Sequence, residues 1–204
     1  MKVAVIGYTG TGKSLLCNRI LKYYGKEETF EYGCTFTEKY ITKQIKEEKV
    51  GINGKYITLI DTPPLDTYLN YPEKLGSLDA DLYIVCISRK QLNINQTLTK
   101  IQNLKPNNFI IMVTFSEDLG IPASERKGDI ISDRKNWNDK FRREIIRNVG
   151  LYDLDIFYEL PDGTIESNII FTSPDETESI KKLMEIVDRN IPKEEDKSAW
   201  CSIQ

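Results

Sequence analysis

Hydrophobic and polar residues alternate along this chain in blocks that predict a sheet covered by helices. Short apolar runs predict strands near residues 2–6, 38–46, 56–61, 82–88, 108–114 and 168–172. Apolar residues recurring every three or four positions predict helices near residues 13–24, 93–104, 134–149 and 176–190. Because strands and helices alternate, we predict an α/β fold with a mostly parallel six-stranded sheet and helices on both faces.

One strand pair should depart from the parallel pattern. Strands 38–46 and 56–61 are joined through Gly51-Ile52-Asn53-Gly54-Lys55, and Asn-Gly is a strong signal for an antiparallel hairpin. The polar stretch 116–133 contains glycine and proline and predicts a loop insertion. The chain turns polar after Pro192, so we predict a domain over residues 1–191 and a flexible tail over 192–204.

A complete G-x-x-x-x-G-K-[ST] motif stands between the first strand and the first helix, which is the context that gives this motif meaning. Glycines let such a loop turn tightly, so that its backbone N–H groups surround a phosphate. Lys13 is expected to reach the β- and γ-phosphates, and the Ser14 hydroxyl to bind Mg²⁺. The predicted nucleotide-binding residues of this loop are Gly7, Tyr8, Thr9, Gly10, Thr11, Gly12, Lys13, Ser14 and Leu15.

Composition adds mainly exclusions. The 204 residues include 28 Lys and Arg and 31 Asp and Glu, a net charge of −3, so no basic excess indicates a nucleic-acid partner. Histidine is absent, which excludes histidine bases, histidine metal ligands and Ser-His or Cys-His nucleophiles. The first strand begins too early for a signal peptide, and no C-x-x-C pair occurs. We therefore expect a cytoplasmic protein with reduced thiols.

A second phosphate-site element follows the predicted strand 56–61. Asp61 ends this apolar strand, where a carboxylate can hold Mg²⁺ through its water shell. The segment before it contains Thr35 and Thr37, and either threonine could bind Mg²⁺ and sense the γ-phosphate or simply open a strand. We take Thr37 as the first choice. The predicted metal ligands are then Ser14, Thr37 and Asp61, and the predicted catalytic residues are Lys13 and Thr37.

Two strand ends are candidates for reading the base. Guanine presents an N–H and an amino group side by side, which one carboxylate can accept together, whereas adenine cannot supply that pair. Thr114 and Glu117 have the spacing of the [NT]-K-x-D guanine box, with Asp118 one residue later as the alternative carboxylate. A purely structural acidic loop is the other interpretation. Thr172 and Ser173 end a further strand, where a backbone N–H would contact the guanine carbonyl.

Together these segments resemble the immunity-associated GIMAP family of septin-like GTPases over roughly residues 2–190. The resembling segments are Val5 to Ser14 with Asn18 and Ile20-Leu21, then Ile60-Asp61-Thr62-Pro63, then Val113 to Leu119, with Arg89 to Leu104 in loose register. The resemblance implies a Ras-like P-loop fold that binds GTP or GDP with Mg²⁺. It also implies that nucleotide controls homodimer or oligomer formation through the GTPase face.

Three positions depart from the patterns of such enzymes. The family usually has glycine where this chain has Pro64, and proline has no N–H to donate to the γ-phosphate. Leu65 stands where Ras-type enzymes place the glutamine that orients water. Thr9 fills a position that Ras-type proteins keep as glycine. We therefore expect slow intrinsic hydrolysis, a second switch that senses GTP poorly, and a response carried mostly by the Thr37 loop.

The last four residues, Cys201-Ser202-Ile203-Gln204, fit a C-a-a-X prenylation signal that favours a farnesyl group on Cys201. One lipid chain gives only marginal, reversible membrane binding, and the preceding tail is not polybasic. A chance cysteine at this position is the alternative.

Two other functions remain open on the sequence. The chain could be a scaffold that uses GTP as a structural ligand for oligomerisation with little or no turnover. It could also be a nucleotide-kinase type of P-loop enzyme, because fold and phosphate loop alone do not fix the chemistry.

Overall fold

The structure, a computed structural model, describes residues 1–32, 44–52, 54–66, 78–88, 94–104, 109–114, 130–150, 157–159, 165–171 and 177–191. Within these ranges the strands are β1 (Lys2–Gly7), β2 (Lys46–Ile52), β3 (Lys55–Asp61), β4 (Leu82–Ser88), β5 (Phe109–Thr114), β6 (Phe157–Glu159), β7 (Ile165–Ser167) and β8 (Ile169–Phe171). The helices are α1 (Lys13–Tyr23), α2 (Ile94–Leu104), α3 (Ile130–Gly150) and α4 (Thr177–Asn190).

The main sheet has six strands in the order β2-β3-β1-β4-β5-β8, and only the β2–β3 pair is antiparallel. This confirms the predicted α/β fold with a mostly parallel sheet and one antiparallel hairpin. Since the other five strands are parallel, their carboxyl ends meet at one edge of the sheet, where α/β proteins place their ligands. The loop after β1, Asp61 at the end of β3 and Thr114 at the end of β5 therefore share that edge.

Alternate residues of the central strands enter two cores on opposite faces of the sheet. Val3 and Val5 of β1 belong to a cluster that includes buried side chains of α1 and α4. Ala4 and Ile6 belong to a second cluster with buried side chains of α2 and α3. Both faces of the sheet are thus covered by helices, which explains why β4 and β5 are buried at every position.

Two predicted boundaries were wrong, and one hairpin was not predicted. The first strand of the hairpin lies at Lys46–Ile52 rather than at 38–46; of the predicted range, residues 38–43 lie outside the described residues. β2 is an edge strand, and its alternation of exposed and buried positions is too polar to be found as an apolar run. Ile52 pairs with Lys55 around Gly54, whose φ of 78° suits the predicted Asn-Gly turn.

The other two corrections concern the second half of the chain. Helix α3 begins at Ile130, so the last residues of the predicted loop 116–133 are helical, as the absence of Gly and Pro from 130 to 149 allows. The β6–β7 hairpin was not predicted, because strands of three residues carry too little periodicity to recognise. Among the described residues, no helix is long and apolar enough to span a bilayer.

A fully buried asparagine fixes the chain that leaves α1. The Asn18 side chain donates to Phe30 O at 2.7 Å and accepts hydrogen bonds from Phe30 N at 3.0 Å and Thr29 N at 3.2 Å. Phe30 is itself buried in the core shared with α1. The segment at residues 29–30 is therefore held to the helix that begins at the nucleotide-binding motif.

We expect Asn18→Ala to lower the free energy of unfolding by at least about 2 kcal/mol, since each buried polar group left unpaired costs roughly 1–3 kcal/mol. Urea denaturation measures this loss. Asn148→Ala is the matched control, because the Asn148 amide only donates to Glu144 O within its own exposed helix face. The control should change stability by less than about 0.5 kcal/mol. Equal losses in both variants would contradict the role given to Asn18.

Candidate nucleotide-binding site

The phosphate loop runs from the end of β1 into the first turn of α1. Gly10 and Gly12 have φ values of 71° and 80°, a region that glycine enters without strain. Thr11 closes the turn, because its N–H and its hydroxyl both donate to Tyr8 O, at 3.3 and 2.8 Å. The loop thus ends at a helix N-terminus, whose unpaired N–H groups favour an anion.

Gly7 sets the distance between this loop and the neighbouring strand. A Cβ added at Gly7 would lie 2.6 Å from Cys86 O and 2.7 Å from Thr11 Oγ1. No side chain fits there unless the backbone of β4 or the loop moves. The first glycine of the motif is therefore required by close packing of the loop against β4, as well as by the turn.

Lys13 carries a buried cation above the loop. Its side chain is 5% exposed, and its Nζ donates to Tyr8 O at 3.1 Å. Burial lowers the pKa of Lys13, and the Asp61 carboxylate is the largest influence in the opposite direction. An ammonium that is desolvated beside a backbone carbonyl gains most from an anionic ligand, which is what a nucleotide phosphate supplies.

A hydroxyl and a carboxylate meet beside this ammonium group. The Ser14 hydroxyl donates to Asp61 Oδ2 at 2.7 Å, and Asp61 is 1% exposed. The parallel pairing of β1 with β3 places Asp61 opposite Val5, directly before the loop. A hydroxyl and a carboxylate are the hard oxygen ligands that Mg²⁺ prefers, so this pair fits the predicted ion. Of the predicted metal ligands, Thr37 and its alternative Thr35 lie outside the described residues.

The chain after Asp61 contacts β1 and the loop through Thr62, Leu65 and Asp66. Thr62 Oγ1 donates to Val5 O at 2.8 Å, and Leu65 N donates to Gly7 O at 3.0 Å. Thr9 donates to Asp66 Oδ1 from both its N–H and its hydroxyl, each at 2.9 Å. We call residues 62–66 the β3 extension. Its contact with Thr9 was not predicted, since no local pattern links two residues 57 positions apart.

Residues 2–115 match the family model described as 50S ribosome-binding GTPase. The chain belongs to this GTPase family. The chain therefore carries the P-loop GTPase domain of this family, because the match covers the loop, β3 and the central sheet up to β5.

This GTPase is also similar to GTPase IMAP family member 8 of Rattus norvegicus. The two are 26% identical over 165 residues, which cover 74% of this chain and 22% of that protein. The chain thus spans about a fifth of the length of the curated relative that it matches. The resemblance to the immunity-associated GTPases is confirmed, together with the GTPase class.

Of the residues predicted to contact the guanine base, Thr114 lies within the described part of the chain. Its side chain is 3% exposed, and its hydroxyl is 2.7 Å from Thr11 O and 3.4 Å from Ile87 O. Thr114 therefore joins the end of β5 to the phosphate loop, and its hydroxyl proton is directed at a backbone carbonyl. The other predicted base-reading residues, Glu117, Asp118, Thr172 and Ser173, lie outside the described residues.

We expect Lys13→Met to weaken GTP and GDP binding more than about a hundredfold, or about 2.7 kcal/mol, because methionine keeps the buried stem and removes the phosphate cation. The stability of the empty protein should not fall, since a buried ammonium is unfavourable without its anion. Calorimetric titration and thermal melting measure the two effects. Lys22→Met is the matched control, as Lys22 is exposed in the last turn of the same helix. A parallel loss of stability would mean that Lys13 serves the fold instead.

Proposed function

We propose that this GTPase is a guanine-nucleotide switch that binds GTP and GDP with Mg²⁺ and hydrolyses GTP slowly on its own. The observation that carries the proposal is the burial of Leu65. Its side chain is 0% exposed and belongs to the core cluster that contains Tyr8 and Ile60. Leu65 is the residue that follows Pro64, and a fully buried leucine offers no polar group that could orient the attacking water.

The rest of the site supports binding more strongly than turnover. Lys13 is placed to balance phosphate charge, and the Ser14–Asp61 pair fits Mg²⁺, which would neutralise charge on the β- and γ-phosphates when bound. In contrast, Pro64 has no N–H to donate to a γ-phosphate. The N–H and the hydroxyl of Thr9 both donate hydrogen bonds to Asp66. Thr37 remains the proposed second catalytic residue. Groups that orient water would then come from a second copy of the chain or from another partner.

We expect single-turnover phosphate release from the isolated monomer to stay at or below the order of 10⁻³ s⁻¹ known for unassisted Ras. Release should be followed over a series of protein concentrations, with light scattering in GDP and in a non-hydrolysable GTP analogue. A rate that rises with association supports a switch activated by self-association. Association without any phosphate release favours the scaffold alternative, whereas fast turnover by the monomer contradicts slow hydrolysis.

The guanine preference is proposed to come from Glu117. Titration of nucleotide-stripped protein should show that ATP binds at least about a hundredfold more weakly than GTP and GDP. The reason is that a carboxylate accepts two N–H bonds from guanine, and adenine cannot supply that pair. Glu117→Ala should remove most of this difference, with Asp118→Ala as the matched control. If only the control variant loses the preference, the carboxylate is Asp118. Equal binding of ATP by the wild type would instead favour the kinase-type alternative.

Three finer proposals remain beside the switch itself. Homodimers or oligomers formed through the GTPase face are proposed from the resemblance alone. A farnesyl group on Cys201, and membrane association through it, is proposed from the final four residues, which lie outside the described part of the chain. The intact mass after expression with an active farnesyltransferase tests the lipid, and an unmodified mass would exclude it. Cytoplasmic localisation likewise stays a prediction.

A further inference from the structure

A negatively charged side chain lies on the rim of the phosphate loop. One oxygen of the Asp66 carboxylate accepts hydrogen bonds from both the N–H and the hydroxyl of Thr9, each at 2.9 Å. The Thr9 N–H belongs to the loop whose backbone amides serve phosphate in P-loop proteins. In this structure, that amide is directed at a carboxylate of the protein.

The neighbouring residue fixes the position of this carboxylate. Leu65 N donates to Gly7 O at 3.0 Å, and the Leu65 side chain is fully buried. Asp66 therefore follows an anchored residue directly, while its own side chain is exposed. A buried anchor beside an exposed charged contact allows the contact to open without disrupting the core.

The Asp66 charge also reaches the groups that handle phosphate. Burial raises the pKa of the Tyr8 hydroxyl, and the Asp66 charge adds to this rise. Burial lowers the pKa of Lys13, and Asp66 is one of the weaker influences that oppose this lowering. In P-loop proteins this lysine reaches the β- and γ-phosphates. GTP and GDP differ by the γ-phosphate, so its negative charge would enter the region where the Asp66 charge already acts.

We propose that Asp66 is the residue that senses the γ-phosphate: its carboxylate contacts Thr9 in the GDP-bound protein, and GTP displaces it. The displacement frees the Asp66 end of the β3 extension and loosens the hydrogen bond from Leu65 N to Gly7 O, while the Leu65 side chain stays buried. This inference rests on the proposed binding of GTP and GDP. It replaces the expectation that the second switch senses GTP poorly, because charge repulsion does not need the N–H that Pro64 lacks. Since Pro64 has no N–H for a γ-phosphate to attract, the β3 extension responds by charge repulsion.

Asp66→Asn tests the proposal, because asparagine keeps the shape and the oxygen that accepts both Thr9 donors but removes the charge. We expect affinity for a non-hydrolysable GTP analogue with Mg²⁺ to rise about tenfold at low salt, with GDP affinity changed less than about twofold. The gain should shrink towards 1 M salt, where the Debye length is about 3 Å. Calorimetric titration of the full chain with each nucleotide gives the ratio.

Asp81→Asn is the matched control. The Asp81 carboxylate also accepts a backbone N–H, from Lys2 at 2.6 Å, but it does so at the opposite edge of the sheet from the phosphate loop. This variant removes the same charge from the chain. It should leave the ratio of analogue affinity to GDP affinity unchanged.

Hydrogen exchange of the Leu65 amide provides a second readout. In the wild type, this amide should be protected with GDP and exchange at least about tenfold faster with the analogue, since release of Asp66 loosens the bond to Gly7 O. In Asp66→Asn, exchange should depend less on the nucleotide. A role of Asp66 in stability alone would alter exchange equally in both nucleotide states.

The outcomes separate this inference from the function on which it rests. If the wild type binds both nucleotides and Asp66→Asn leaves their affinity ratio unchanged, the sensing role is wrong. If the variant loses analogue affinity, the carboxylate attracts the GTP state, by holding Mg²⁺ or water, and the repulsive role is wrong as well. If the wild type binds neither GTP nor GDP, the proposed function itself fails.

Discussion

The buried ammonium of Lys13 is the constraint around which the site is arranged. Desolvation makes its charge unfavourable, and the described structure offers it only one backbone carbonyl and the field of nearby carboxylates. Its position follows from the sheet, because parallel pairing of β1 with β3 brings Asp61 to the same edge as the loop. A phosphate that enters the loop would complete this charge arrangement. The fold therefore arranges a site for an anion at this edge of the sheet.

Two segments next to the loop are held by different chemistry. Residues 29–30 are fixed by Asn18, whose neutral amide is fully buried and makes three hydrogen bonds. The β3 extension ends in a charged contact between Asp66 and Thr9 that is exposed to solvent. A buried neutral network is expensive to open, whereas an exposed ion contact responds to added charge and salt. A conformational change that depends on the nucleotide is therefore easier at the β3 extension than at residues 29–30.

The parts of the site that lie within one short stretch of sequence could be predicted, and the parts that join distant stretches could not. The loop, Ser14 and Asp61 follow from a motif and a strand end, and the alternating pattern gave the sheet and its two covered faces. Edge strand β2 was misplaced because its exposed side is polar, and β6 and β7 are too short for a period. The contact of Thr9 with Asp66 depends on how the chain turns after β3. From the sequence, Pro64 indicated only that the glycine N–H is missing from this turn.

Pro64, Leu65 and Asp66 together determine how the chain after β3 meets the phosphate loop. A proline restricts the backbone, and a buried leucine anchors the next residue, so the chain after β3 approaches the loop in one defined way. Pro64 lacks the N–H, and Leu65 lacks the polar side chain, that other GTPases use to attract the γ-phosphate and to orient water. This approach of the chain also brings the Asp66 carboxylate to the loop, where it accepts both hydrogen bonds from Thr9. Under the proposed function, an enzyme arranged in this way would hydrolyse GTP slowly without a partner. It would still distinguish GTP from GDP, because repulsion can separate two nucleotides as well as attraction can.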